Sequence, residues 1–169
     1  MILTFEKILK IAPDEIKLLL EKCEKTPQNP TWHPEGANEK IPHNVLAHTK
    51  IVYDRAKKSG NLNYALAALF HDLGKPETTN LNKQGNWASH NHEFISAQLV
   101  IKYRDWIFRQ KGDADLIHDI VLNHMKIKRM DEMRRFKQEE FKRNLNYEKI
   151  NEFSEFDNML TLTSEELSL

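Results

Sequence analysis

Thiols are nearly absent from this 169-residue chain: its one cysteine, Cys23, can form neither an internal disulfide nor a thiolate zinc site. The chain therefore fits a reducing compartment, and any metal it carries must be held by nitrogen and oxygen. Net charge is missing too, with 25 Lys plus Arg against 25 Asp plus Glu and a pI of about 7.1. A neutral chain lacks the positive field needed to coat nucleic acid or an anionic membrane, although a local basic patch remains open. No apolar run reaches 18 residues, which excludes a simple membrane-spanning helix. Met1-Ile2-Leu3-Thr4-Phe5-Glu6-Lys7 lacks the basic, apolar and small-residue order of a signal peptide, so the expected location is cytoplasmic, with no membrane partner. Against these absences stand eight histidines, an excess that composition alone does not explain.

Glycine is scarce as well, at five residues, and period-2 apolar alternation is rare. The pattern is helical almost throughout and predicts an all-α fold of about six or seven helices in a single domain. Pro13-Asp14-Glu15 followed by Ile16, Leu19 and Leu20 predicts an amphipathic helix over 13–25. Three prolines between Thr26 and Gly36 then force a structured loop or arm. Pro42 starts a helix expected to run to about 58, and Lys57-Lys58-Ser59-Gly60 ends it. Leu62 to Phe70 is apolar nearly all round, as a central buried helix should be. A polar loop over 77–87 and helices over 89–110, 113–126, 131–144 and 147–162 complete the expected order. The domain is expected to comprise a helical N-terminal extension, 1–31, and a core, 32–162.

His71-Asp72 falls at the C-terminal end of the buried apolar helix, where ionisable groups are costly unless something compensates them. A metal ion is the natural compensation. Imidazole and carboxylate suit zinc, manganese, iron, nickel or cobalt. Adjacent helical residues point about 100° apart, so the pair cannot chelate an ion unaided. Other helices offer further ligands: His48 before it, then His92, His124 and Asp157 after it.

This ordered set resembles the HD-domain superfamily of metal-dependent phosphohydrolases, whose minimal pattern is His, His-Asp and a distant Asp. The resemblance spans roughly residues 33–160. Its wording is most similar to the HD portion of bacterial tRNA nucleotidyltransferases and poly(A) polymerase-like proteins. It is carried by Trp32-His33-Pro34-Glu35-Gly36, Pro42-His43-Asn44-Val45-Leu46-Ala47-His48-Thr49, Leu69-Phe70-His71-Asp72-Leu73-Gly74-Lys75-Pro76 and His92-Glu93-Phe94-Ile95-Ser96-Ala97. The 31 residues before Trp32 leave no room for the strand-borne acidic motif of a nucleotidyltransferase, so only the hydrolase half is expected.

The resemblance implies one or two divalent ions, from manganese, nickel, cobalt, iron, zinc or magnesium. It assigns His48, His71, Asp72 and Asp157 to the first, with Asp72 bridging to a second held by His92 and His124. Two such ions clamp a phosphate and lower the pKa of a bridging water. Asp72 and Lys75 are the implied catalytic residues, Lys75 touching a phosphate oxygen. His33, His43, His90 and Lys128 are candidate substrate contacts.

Each assignment has a plainer competitor. His92 and His124 are missing from single-metal HD proteins. Asp131 competes with Asp157 for the last ligand position; Asp157 is preferred because Phe153, Phe156, Met159 and Leu160 bury its helix face, whereas Asp131 lies among Arg129, Glu132, Arg134 and Arg135. His33 and His43 suit loop or cap hydrogen bonding equally well. Lys75 could simply complement a helix dipole. The 126–137 segment has six cations against two acids and could receive RNA phosphates or be a solvated helix face. His118-Asp119, in the middle of an amphipathic helix with no Gly-Lys turn, is expected to be structural. The expected function is hydrolysis of a phosphomonoester or phosphodiester of a nucleotide-like substrate. The alternatives are a di-iron oxygenase on the same fold, or a non-catalytic nucleotide- or RNA-binding module.

Overall fold

The helix predicted at Leu62–Phe70 is the axis of the molecule, and every residue from Tyr64 to Phe70 is buried. A computed structural model of the chain describes residues 1–28 and 44–158. In chain order the elements are α1 (Phe5–Ile11), α2 (Asp14–Glu24), α3 (Val45–Lys58), α4 (Leu62–Phe70), α5 (Lys75–Thr78), β1 (Thr79–Leu81) and β2 (Trp87–Ser89). There follow α6 (His92–Lys102), α7 (Arg104–Arg109), α8 (Ala114–Lys128), a 3-10 turn (Met130–Glu132), α9 (Arg135–Lys142) and α10 (Tyr147–Asp157). The fold is all-α apart from one small antiparallel ribbon. No described helix is long and apolar enough to cross a membrane.

Short polar residues start the helices where the sequence places them. Asn44 accepts from the Ala47 N–H at 2.8 Å, and Asn61 from the Asn63 N–H at 3.0 Å. The Asp113 carboxylate accepts from the N–H groups of both Asp115 and Leu116 at 3.1 Å. The α4 helix packs against α3, α6 and α8, and α10 closes over α3 and α8. Each large apolar side chain buried there contributes about 1.5–3 kcal/mol, which fixes the helix ends from which the site is built. The first 28 residues share this core: Phe5 meets Tyr53 edge-on at 5.4 Å, and the Trp106 indole donates to the Ile11 carbonyl at 3.0 Å.

Four features depart from the sequence expectation. Within the helical extension expected over 1–31, residues 5–11 form a separate helix ahead of the one predicted over 13–25. The expected loop over 77–87 is instead the short α5 and a hairpin pairing Thr79 with Ser89, Asn80 with Ala88 and Leu81 with Trp87. Three-residue strands are too short to show alternation, although Gly85 at φ 76° and the surrounding asparagines did mark the turn. The single helix expected over 89–110 breaks at Tyr103, where Lys102 and Tyr103 both bind Glu15 of α2. That anchor is tertiary and invisible to periodicity. The helix expected over 131–144 begins with the 3-10 turn, and α9 starts only at Arg135. Residues 159–162 of the last predicted helix lie outside the described residues.

Candidate metal centre

Five helix ends and faces converge on one buried point. His48 comes from the inner face of α3; His71 caps the C-terminus of α4, and Asp72 lies one residue beyond it. His92 is the first residue of α6, His124 lies on the inner face of α8 and Asp157 is the last residue of α10. None of the six is more than 2% exposed. They form two groups, His48 with His71 and Asp157, and Asp72 with His92 and His124, the ligand atoms in each lying within 4.8 Å of one another.

Asp72 sits between the groups. Its Oδ2 lies 3.4 Å from His48 Nε2 and 3.3 Å from His71 Nε2, while Oδ1 lies 3.1 Å from His92 Nε2 and 3.8 Å from His124 Nε2. Asp157 Oδ1 lies 2.8 Å from His48 Nε2 and 3.5 Å from His71 Nε2. Despite these approaches, neither oxygen of Asp72 or Asp157 accepts a hydrogen bond of normal geometry.

The Nδ1 atoms of His71, His92 and His124 lie 2.8, 2.7 and 2.6 Å from the carbonyls of Ala68, Ser89 and Val121. A carbonyl can only accept, so each Nδ1 carries a proton and Nε2 is the atom each ring can offer to a metal. His92 Nε2 and His124 Nε2 then face each other at 3.2 Å, as do His48 Nε2 and His71 Nε2. Imidazole nitrogens and carboxylate oxygens converging in a dry interior are costly unless something compensates them, and a metal ion is one compensation. Each of the two groups has a donor set that would suit a divalent ion, with Asp72 lying between them.

The electrostatics agree. Burial pushes the His48 and His124 imidazoles down to about 4, so both are neutral at pH 7. Burial would also lower His71, but the Asp72 and Asp157 charges outweigh it and lift the metal-free ring to about 9. Burial alone would raise both carboxyls, yet His71 and Lys75 beside Asp72, and Lys128 and His71 beside Asp157, hold them well below the usual carboxylate range.

A lysine backs each carboxylate. Lys75 Nζ lies 2.8 Å from Asp72 Oδ2 and donates to Gln28 Oε1 at 3.2 Å; Lys128 Nζ lies 2.5 Å from Asp157 Oδ2. The structure thus brings Lys75 and Lys128 to the two carboxylates of the ligand set. His90 is exposed in the turn before α6, outside both groups, and Asp131 is exposed in the 3-10 turn. His33 and His43 lie outside the described residues. Of the 126–137 segment, Lys128 reaches the ligand set, whereas Lys126 lies over the Phe141 ring at 4.4 Å.

Three supporting residues had no assigned role in the sequence reading. A Cβ on Gly74 would come within 2.4 Å of the His92 carbonyl oxygen and 2.9 Å of Ile95 Cβ, so only glycine lets α5 meet the start of α6. The Gly74 N–H donates to the buried Ser96 hydroxyl at 2.9 Å, fixing His92 relative to Asp72. The third is Gln28, buried against Lys75 from a stretch that looked like plain loop. The Gly-Lys and Ser-Ala wording hinted at the first two; nothing marked Gln28.

An all-α core with a bridging aspartate between two imidazole-rich groups defines a class of metal-binding domain. The model for the HD domain matches residues 42–155, well over half of the chain, and the protein belongs to that family. The HD domain is the mark of a superfamily of metal-dependent phosphohydrolases whose members bind divalent ions. No curated protein matches the chain as a recognisable relative.

Proposed function

We propose that the protein is a metal-dependent phosphohydrolase that cleaves a phosphomonoester or phosphodiester of a nucleotide-like substrate. The observation that carries this reading is the pair of carboxylates whose buried oxygens face only imidazoles and two lysines. In this reading His48, His71 and Asp157 hold one divalent ion, His92 and His124 hold another, and Asp72 touches both. Such ions, when bound, polarise phosphoryl oxygens and lower the pKa of a bound water to near neutrality.

The remaining work falls to the chain's own groups. The backbone carbonyls of Ala68, Ser89 and Val121 hold three imidazoles in the tautomer that presents Nε2. Asp72, with its two oxygens facing the two groups, fixes their spacing. Lys75 and Lys128 exchange part of their contact with Asp72 and Asp157 for phosphate oxygens and neutralise charge that develops in the transition state. Gln28 keeps the Lys75 ammonium in place. Support from the sequence comes from the HDLGK wording and its likeness to the HD portion of tRNA nucleotidyltransferases.

The test is turnover by purified protein loaded with manganese, cobalt or nickel, over a panel of nucleotides and simple phosphate esters. Hydrolysis that disappears in Asp72→Ala supports the reading. Bound metal without turnover across the panel overturns it. Oxygen consumption by an iron-loaded protein would assign the site to oxidation instead, and RNA affinity that survives Asp72→Ala would assign it to binding alone.

A further inference from the structure

The two ammonium groups at the ligand set are held differently. Lys75 Nζ has two acceptors, Asp72 Oδ2 at 2.8 Å and Gln28 Oε1 at 3.2 Å, and its side chain is 13% exposed. Lys128 Nζ lies 2.5 Å from Asp157 Oδ2, and its side chain is 33% exposed. Among the described residues, Asp157 is the one partner of that ammonium. Lys128 is the last residue of α8, four after His124, so the two share a helix face and α8 reaches both groups of ligands.

The oxygens of Asp157 are divided between two neighbours. Oδ1 faces the imidazoles, 2.8 Å from His48 Nε2 and 3.5 Å from His71 Nε2, while Oδ2 lies against Lys128. An ammonium in that place opposes a divalent ion twice over. It occupies one oxygen of a ligand, and its charge repels any further cation drawn to the same carboxylate. Asp157 is buried, so salt screens that repulsion little.

The charge of the whole centre points the same way. Asp72 and Asp157 supply two negative charges, Lys75 and Lys128 two positive ones, and imidazoles that act as ligands are neutral. Glu93, 3.6 Å from His92, meets the Nδ1 side of that ring, away from the Nε2 that faces Asp72. Among the described residues, the ligands and their lysines therefore sum to zero. Divalent ions bring positive charge that this set does not offset, and an anion bound with them restores the balance. Lys75 keeps Gln28 as an acceptor if Asp72 turns to an ion. Lys128, part exposed and with one partner, is the ammonium free to change that partner for an incoming anion.

We infer that Lys128 is the resident counter-cation of this centre: it yields Asp157 to a divalent ion and then receives the anionic group of the ligand. This rests on the reading of the site as a metal centre that acts on a phosphate ester, and goes beyond it by coupling two binding events through one side chain. Lys128 thereby lowers the affinity for metal alone and raises the affinity for metal and anion together. By linkage each tightens the other by the same factor, typically about 5- to 150-fold.

The test compares chelator-treated wild type with Lys128→Gln, which keeps a donor and loses the charge, and Lys128→Arg, which keeps both. Circular dichroism checks that each is folded. Manganese and inorganic phosphate are the probes: free manganese is read by electron paramagnetic resonance at constant ionic strength, with and without phosphate, corrected for the manganese-phosphate complex. In wild type, phosphate is expected to tighten manganese by about 5- to 150-fold. In Lys128→Gln, manganese alone should bind about fivefold tighter than in wild type or more, and the phosphate effect should shrink by a similar factor. Lys128→Arg should match wild type. A purely structural role predicts the opposite sign, because losing an outer-shell partner weakens a bound ion by roughly 10- to 100-fold. Manganese binding that is weaker or unchanged in folded Lys128→Gln overturns the inference, as does a phosphate effect absent from wild type or undiminished in Lys128→Gln. Each of these results leaves the phosphohydrolase reading standing, since that reading fails on turnover and not on binding.

Discussion

Two histidine-aspartate dipeptides lie on neighbouring packed helices: His71-Asp72 where α4 ends and His118-Asp119 in the middle of α8. At the second, side-chain amides satisfy both oxygens of the carboxylate. Asp119 Oδ1 accepts from Asn123 at 2.7 Å and from Asn144 at 3.2 Å, and Oδ2 accepts from Asn146 at 2.9 Å. The half-buried dipeptide thereby ties the start of α10 to α8. At the first, burial is complete and the carboxylate oxygens face imidazole nitrogens and an ammonium without a normal hydrogen bond. The same two residues form a structural clasp where neutral donors surround the carboxylate and a candidate metal centre where imidazoles converge. The dipeptide carries no function of its own; its surroundings assign one.

The sharpest way to break the comparison is to delete each aspartate in turn. Asp72→Ala removes the shared ligand and is expected to abolish stoichiometric metal binding. It should lower any hydrolytic activity by more than the roughly 10- to 100-fold cost of losing an outer-shell partner. Mass-spectrometric metal content and turnover check both. Asp119→Ala should instead keep its metal and lose about 1–3 kcal/mol of stability, because the donors of three asparagines lose their acceptor. Urea denaturation of the two variants separates the roles.

A smaller effect is expected from Gly74→Ala. Its Cβ collides with the backbone of His92, so the start of α6 must move. A destabilisation of about 1–3 kcal/mol is expected, with metal weakened more at the His92 and His124 group than at the His48 group, readable as a fall in stoichiometry from two toward one.

The smallest is a pH effect in chelator-treated protein. His71 rises from 6.5 in the unfolded chain to about 9 in the folded one. Its contribution to stability is therefore fully present below about pH 6.5 and is lost as pH rises through about 9. Thermal melts from pH 6 to 10 should show that loss in wild type and not in His71→Gln.

Much of the centre was legible because burial and helix ends leave marks in sequence. The apolar run before His71 announced a buried helix, and the apolar face of Phe153 and Phe156 set Asp157 apart from Asp131, which the structure leaves exposed. The absence of a Gly-Lys turn after His118-Asp119 set it aside, and the structure pairs Asp119 with three asparagines. Other features had no local mark. The ribbon is stabilised by contacts between residues ten apart and by the α5 carbonyls, and the break at Tyr103 is set by Glu15, 88 residues away. Gln28 acquires a role only because α2 packs against α5. Candidate contacts at His33 and His43 fall in the segment 29–43 outside the described residues, while the chain on either side is joined by the Pro27–Asn44 bridge.

The central claim is that the convergent imidazoles and Asp72 form a two-ion centre. Anomalous diffraction from crystals grown with manganese tests it directly. The account predicts two peaks about 3.5–4 Å apart, one among His48, His71 and Asp157, the other between His92 and His124, with Asp72 touching both. No peak at these residues, or a single ion leaving His92 and His124 paired only with each other, would contradict it.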